Sequence, residues 1–154
     1  VKLLELIDNQ HVTLDLEVGG DEGVLDVISE APSKFLGMER ARITKALAER
    51  EALGSTSVGD GFAIPHSKLD GLKTVSVWIA RLAEDVEFGA LDGIGVRFLA
   101  VVLSRPDQPA AHLQVLSQVA RVLKRREVRE RLMNAADADA LIAEIGAASA
   151  QEGL

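Results

Sequence analysis

Among side chains capable of covalent or metal chemistry, the 154-residue sequence offers no cysteine and three histidines, at positions 11, 66 and 112. No two histidines stand at a metal-ligand spacing, so a zinc or iron site has little support, and a thiol nucleophile is excluded. His66 has a distinctive setting. It follows Pro65, which presets the backbone, and closes a stretch, residues 54–68, that reads GSTSVGDGFAIPHSK. Gly54, Gly59 and Gly61 in that stretch permit close backbone approach to a ligand and leave amides free to face an anion. A neutral imidazole is a nucleophile near pH 7, and a loop of this kind can surround a phosphate. The same residues also describe an ordinary turn, and their types alone do not choose between the two.

The Gly54-to-Gly59 spacing hints at a nucleotide-binding P-loop, but Asp60-Gly61 occupies the places where lysine and a hydroxyl must reach phosphate and magnesium, so that reading fails. Arg50 lies seven residues after Ile43 and three after Leu47, which puts a cation on an otherwise apolar helix face near the helix end. Phosphate contact and simple dipole compensation both fit it. His112 falls in the first turn of a helix opened by Pro109, on the stripe of Leu116 and Val119. It reads either as a packed core-edge residue or, kept neutral at a helix N-terminus, as a donor to a phosphate. His11 reads as a surface residue.

The elements that must position these residues follow from hydrophobic period. Residues 11–16 alternate, with Val12, Leu14 and Leu16 on one side, as in a half-buried strand. Asp21 is a plausible cap for a helix carrying Val24, Val27, Ile28 and Ala31 that Pro32 should stop. A second helix is predicted over 38–53, on the stripe Ile43, Ala46 and Leu47, with Gly54 as its left-handed cap. Val75, Val77 and Ile79 alternate, while 96–103 is almost continuously apolar, as in a strand covered on both faces. Glu84-Asp85 and Asp92-Gly93 predict turns around a short strand at 86–88. The last third is helical: one helix from Pro109 with Leu113, Leu116, Val119, Ala120 and Leu123 on its face, then helices near 126–133 and 137–145. The cluster Lys124-Arg125-Arg126 falls at a helix end, where cations are favoured. Interleaved strands and helices without a repeat predict an α/β (α+β) fold, a mixed parallel/antiparallel sheet flanked by helices on both faces. We expect a single domain over residues 1–154, with its core at about 3–146 and a frayed tail at 147–154.

Hydrophobic residues at 47% and charged residues at 27% are a globular balance, so the chain should close a core without disulfides or structural metals. A net charge of −7 with 3% aromatic residues lacks both the positive field and the stacking surface of a nucleic-acid binder. No apolar run reaches membrane-spanning length, so no membrane insertion is expected, and cysteine-free composition suits the cytoplasm.

The run from Arg50 to Leu69, REALGSTSVGDGFAIPHSKL, closely resembles the active-site signature of enzyme IIA of the phosphoenolpyruvate-dependent phosphotransferase system, in its fructose/mannitol class. Gly54-Ser55-Thr56 before the motif and Lys68-Leu69 after it are similar to the nitrogen-regulatory (IIA Ntr) branch. The resemblance extends over nearly the whole chain. It implies that His66 is the phosphorylated histidine, that Arg50 neutralises the phosphate, that His112 is the second active-site histidine, and that Gly54, Ser55 and Thr56 border the phosphate. No cofactor is implied, because a partner protein delivers the phosphoryl group. Two positions depart from the family pattern. Ser67 stands where glycine or another very small residue is usual, and Phe62 where a smaller aliphatic is usual, which bears on partner preference.

Three functions follow as expectations. The resemblance implies a phosphoryl carrier charged by an HPr-like phosphocarrier, regulating targets such as sensor kinases or transport regulators through its phosphorylation state. The alternative is a relay that hands phosphate to a IIB domain for fructose or mannitol uptake. The third is a module that binds partners without being phosphorylated.

Overall fold

The structure, a computed structural model, describes residues 1–19 and 23–154. Two 3-10 turns, Leu3–Glu5 and Asn9–His11, lead into β1 (Val12–Leu16). Three helices follow: α1 (Val24–Ile28), α2 (Glu30–Leu36) and α3 (Arg40–Glu51). The short strands β2 (Ser57–Gly59), β3 (Phe62–Ala63) and β4 (His66–Lys68) precede the long β5 (Ser76–Val86) and β6 (Val96–Ser104). The chain closes with α4 (Pro109–Val122), α5 (Arg126–Asn134) and α6 (Ala138–Gln151).

The strands form one mixed sheet in the order β1-β5-β6-β3-β2, with β4 also paired to β6. β5 and β6 are antiparallel, whereas β1 runs parallel to β5, and β3 and β4 run parallel to β6. The uninterrupted apolar run in β6 is explained by burial on both sides. Phe98, Ala100 and Val102 pack with Val115, Val119, Leu132 and Leu141 beneath α4–α6. Leu99, Val101 and Leu103 pack with Ile28, Ile43 and Leu47 beneath α1–α3. The fold is therefore the α/β arrangement expected, with helices on both faces of a mixed sheet.

Several local expectations are corrected. Pro32 does not end a helix; it sits in the first turn of α2, where a missing N–H removes no intrahelical bond, and the chain merely bends at Ser29 between α1 and α2. The expected Asp21 cap lies outside the described residues; Gly23 precedes α1. Gly54 has a φ of 155°, not a left-handed helical value, and α3 instead closes on tightened bonds from Leu53 N to Arg50 O and Gly54 N to Glu51 O. Glu84-Asp85 is no turn, because β5 runs on to Val86 with a register shift between Arg81 and Val86. Gly95 makes that irregularity possible: a Cβ there would lie 2.9 Å from Cβ of Asp85.

On α4 the buried stripe is His112, Val115, Val119 and Val122, so Leu113 and Ala120 turn to solvent, Leu113 with 66% of its surface exposed. The frayed tail is also corrected. Helix α6 continues to Gln151, Ala148 and Ser149 are buried, and the Glu152 carboxylate meets Arg121 and Arg125. Gly146 is mid-helix because Leu4 packs against it, 3.3 Å from where a Cβ would stand, so it serves close approach and not termination. His11 is half-buried and not a free surface residue. Its ring stacks on Trp78 at 4.0 Å and its Nδ1 donates to the Val77 carbonyl at 2.8 Å.

Candidate active site

Three elements converge at one end of the sheet. Strand β4 begins at His66, which pairs with Val102 of β6, and Pro65 just before it accepts a bond from Val102 N through its carbonyl. Helix α3 brings Arg50 in its last turn, and α4 brings His112 in its first. The Arg50 Nε–H donates to His66 Nε2 at 3.3 Å, and the two imidazole centroids are 5.7 Å apart, tilted by 53°. An open depression of about 420 Å³ lies over them, bordered also by Leu53, Ser67, Lys68 and the carboxylate-bearing Glu49. A larger cavity of about 590 Å³ lies elsewhere, beside the N-terminal turns, His11 and Trp78, and none of Arg50, His66 or His112 reaches it.

The neighbours of His66 assign its tautomer. Nδ1 lies 2.7 Å from the Ile64 carbonyl, which can only accept, so Nδ1 carries the proton. Arg50 can only donate, so Nε2 must offer a lone pair. Two independent groups thus demand the same form, a neutral ring whose outward nitrogen is the nucleophilic one. Electrostatics keeps it neutral: burial pushes the imidazole pKa below its ordinary value and the Arg50 charge pushes the same way, against the bond to Ile64 and the Glu51 carboxylate. His112 is buried to 8% exposure, and its pKa is also depressed, first by burial and then by His66 and Lys68. Both rings are available as uncharged groups at neutral pH.

Arg50 is oriented by the loop that follows its helix, since Nη1 donates to the Gly54 carbonyl at 2.8 Å. The structure does not bring Gly54, Ser55 and Thr56 to the depression as phosphate contacts. Ser55 is exposed with its hydroxyl accepting from Ser57 N, and Thr56 is buried with both its amide and its hydroxyl donating to the Glu51 carboxylate. Their observed work is to end α3 and hold the loop behind Arg50. Nor do Gly59 and Gly61 cradle an anion. With Asp60 they form the β2–β3 hairpin turn at φ of 92°, 55° and 87°, where Asp60 N is taken by Asp92 and Arg129 caps the Val58 and Gly59 carbonyls. Phe62, one of the two departures from the family pattern, is a core residue packed on Phe98 at 4.8 Å, whereas Ser67, the other, borders the depression.

Sequence reasoning missed two contributors. The Ile64 carbonyl is a backbone group with no signature in residue type. Ser104, fully buried at the end of β6, lies 2.5 Å from His112 Nδ1; its one visible signal is a hydroxyl closing an apolar run.

Comparison with known proteins agrees with this geometry. Residues 5–147 match the family model described as phosphoenolpyruvate-dependent sugar phosphotransferase system, EIIA 2. A nitrogen regulatory protein of Klebsiella oxytoca is 39% identical over 147 residues, covering 94% of this chain and 90% of that protein. A fructose-specific EIIA component of Haloferax volcanii is 38% identical over 132 residues, covering 86% and 83%. The crystal structure of nitrogen regulatory protein IIA-Ntr from Neisseria meningitidis superposes with a TM-score of 0.86 at 31% identity, covering 93% of this chain and 98% of that one. The helix-flanked mixed sheet, the Arg50–His66–His112 cluster and the match over residues 5–147 lead to one conclusion: this chain belongs to the type 2 EIIA family of the phosphoenolpyruvate-dependent sugar phosphotransferase system.

Proposed function

We propose that this protein carries a phosphoryl group on Nε2 of His66, receives it from the phosphohistidine of an HPr-like protein, and acts as a regulator whose partners distinguish its phosphorylated from its free form. The observation that carries the reading is the pair of opposed hydrogen bonds on His66, with Ile64 holding the proton on Nδ1 and Arg50 addressing the lone pair on Nε2.

In the transfer step that lone pair forms the new N–P bond while the donor's P–N bond breaks, its electron pair remaining on the donor's ring. The proton on Nδ1 stays against Ile64, so the His66 ring gains the positive charge and the phosphoryl oxygens keep the negative one. Phosphoryl transfer asks chiefly for alignment and charge stabilisation. Arg50 can swing its Nε–H from the ring nitrogen to the oxygens, and His112 stands across the depression as a second contact. No resident cofactor is required by this route.

The regulatory role is supported by relatives such as the Klebsiella oxytoca protein. A second reading, that the phosphate passes on to a IIB domain for sugar uptake, is favoured by the similarity to the fructose-specific EIIA component of Haloferax volcanii. Incubation with phosphoenolpyruvate, enzyme I and either a regulatory or a sugar-pathway HPr, followed by analysis for acid-labile phosphohistidine, separates the readings. Charging by the regulatory carrier without onward delivery to IIB supports the proposal. Charging by the sugar carrier alone with delivery to IIB replaces it by the relay, and no label with either carrier leaves an unphosphorylated binding module.

A further inference from the structure

We infer that Ser104 is a positioning residue of the phosphoryl site: its buried hydroxyl donates to Nδ1 of His112 and so presents that ring's Nε2–H to the phosphate on His66. The inference rests on the phosphocarrier reading above and adds to it a residue from the core. Its basis is an accounting of protons. Ser104 has no exposed surface, its Oγ lies 2.5 Å from His112 Nδ1, and among the described residues that hydroxyl has no other partner. Were Nδ1 the donor, the hydroxyl's own proton would be left in the core without an acceptor, and a buried unsatisfied donor is strongly disfavoured. With the hydroxyl donating, every buried proton in the pair is used. A neutral imidazole bears one proton, so it then sits on Nε2.

The sheet explains why Ser104 is placed to do this. His66 pairs with Val102, and Lys68 pairs with Ser104, two residues further along the same parallel ladder. Side chains two apart share a face, and Val102 faces α4–α6. Ser104 therefore emerges beneath the first turn of α4, where His112 descends, and it draws Nδ1 inward and leaves Nε2 as the ring's remaining polar atom at the depression. The two facing histidines consequently hold opposite tautomers: Ile64 makes His66 a lone-pair nucleophile, and Ser104 makes His112 a hydrogen-bond donor. Protonation of His112 would again strand the hydroxyl proton, which acts in the same direction as burial on that ring.

The test is long-range proton–nitrogen correlation NMR on the nitrogen-15-labelled full chain near neutral pH, combined with phosphoryl uptake from the donor by Ser104→Thr and Ser104→Val. These two variants are nearly isosteric, and only Thr retains the hydroxyl. The expected results are a protonated Nε2 and a hydrogen-bonded, unprotonated Nδ1 on His112 in the wild type, uptake by S104V slower by about tenfold, and uptake by S104T within about twofold of wild type. A proton on Nδ1 of wild-type His112 overturns the inference, as does S104V matching S104T. Should S104V not fold, the wild-type tautomer decides. Wild-type protein that takes no phosphate refutes the carrier reading, while the tautomer measurement still decides whether Ser104 sets the His112 ring.

Discussion

Replacing Arg50 by alanine tests the charge argument most directly. Its guanidinium stands 3.3 Å from the nitrogen that is to hold the phosphoryl group, so a doubly charged phosphate there would lie at about 4 Å from the cation. Coulomb attraction at that separation is about 1 kcal/mol per unit charge at the dielectric constant of water and about 4 kcal/mol at an effective value of 20. For two charges the bounds are about 2 and about 8 kcal/mol. Because Arg50 is only half-buried at an open depression, the solvent-screened end applies, a loss of roughly 2–3 kcal/mol or about a hundredfold in the rate of phosphoryl uptake. The substitution also removes one of the causes that depress the His66 pKa, which should therefore rise toward 6.5. Stopped-flow transfer from the phosphorylated donor gives the rate, and NMR titration of the imidazole gives the pKa. Arg50→Lys keeps the charge while losing the bond from Nη1 to the Gly54 carbonyl, and should fall between wild type and alanine. A rate for Arg50→Ala within about threefold of wild type, or a His66 pKa that moves down, would refute the reasoning.

Other consequences follow from the same structure. His66 and His112 both have depressed folded-state pKa values, so the unfolded chain binds more protons just below 6.5. Their contribution to stability is whole above that pH and lost as pH falls through the folded values; in denaturant melts at stepped pH, His66→Gln and His112→Gln should each flatten the decline on the acid side. Leu132, fully buried between α5 and the sheet, should cost about 3 kcal/mol when changed to alanine, read as the shift in urea midpoint. Arg129 spans the Leu123, Val58 and Gly59 carbonyls and the Asp60 carboxylate and lies over the Phe62 ring at 5.4 Å, so Arg129→Ala should destabilise by about 2 kcal/mol while His66 labelling per folded molecule stays at the wild-type level. Truncation after residue 146 removes the buried Ala148 and Ser149 and the Glu152 pairings, and should lower the melting temperature measurably instead of trimming a loose end.

Where sequence reasoning succeeded, the determinant was local or periodic. The apolar run in β6, the alternation at Val75, Val77 and Ile79, and Pro109 at the start of α4 each announce an element, because burial and backbone geometry impose their period on residue type. It failed where a neighbour distant in sequence overrode the local signal. The last helix reads as ending near 145 until Leu4 is seen against Gly146, and Glu84-Asp85 reads as a turn until Gly95 allows β6 to approach. Leu113 reads as core until His112 claims the inward direction of α4.

The site divides in the same way. Residue types left two readings open for each of His66, Arg50 and His112, and the resemblance carried by the run from Arg50 to Leu69 favoured the chemical one; the structure brings the three side chains together at one depression. Which nitrogen of each ring carries a proton, and where the polar groups of the loop after α3 turn, depend on Ile64, Ser104 and Glu51, and only the register of β4 on β6 and the descent of α4 bring Ser104 under His112. Hydrogen bonds depend on distances of a few tenths of an ångström between atoms far apart along the chain, and no spacing in a linear sequence encodes those.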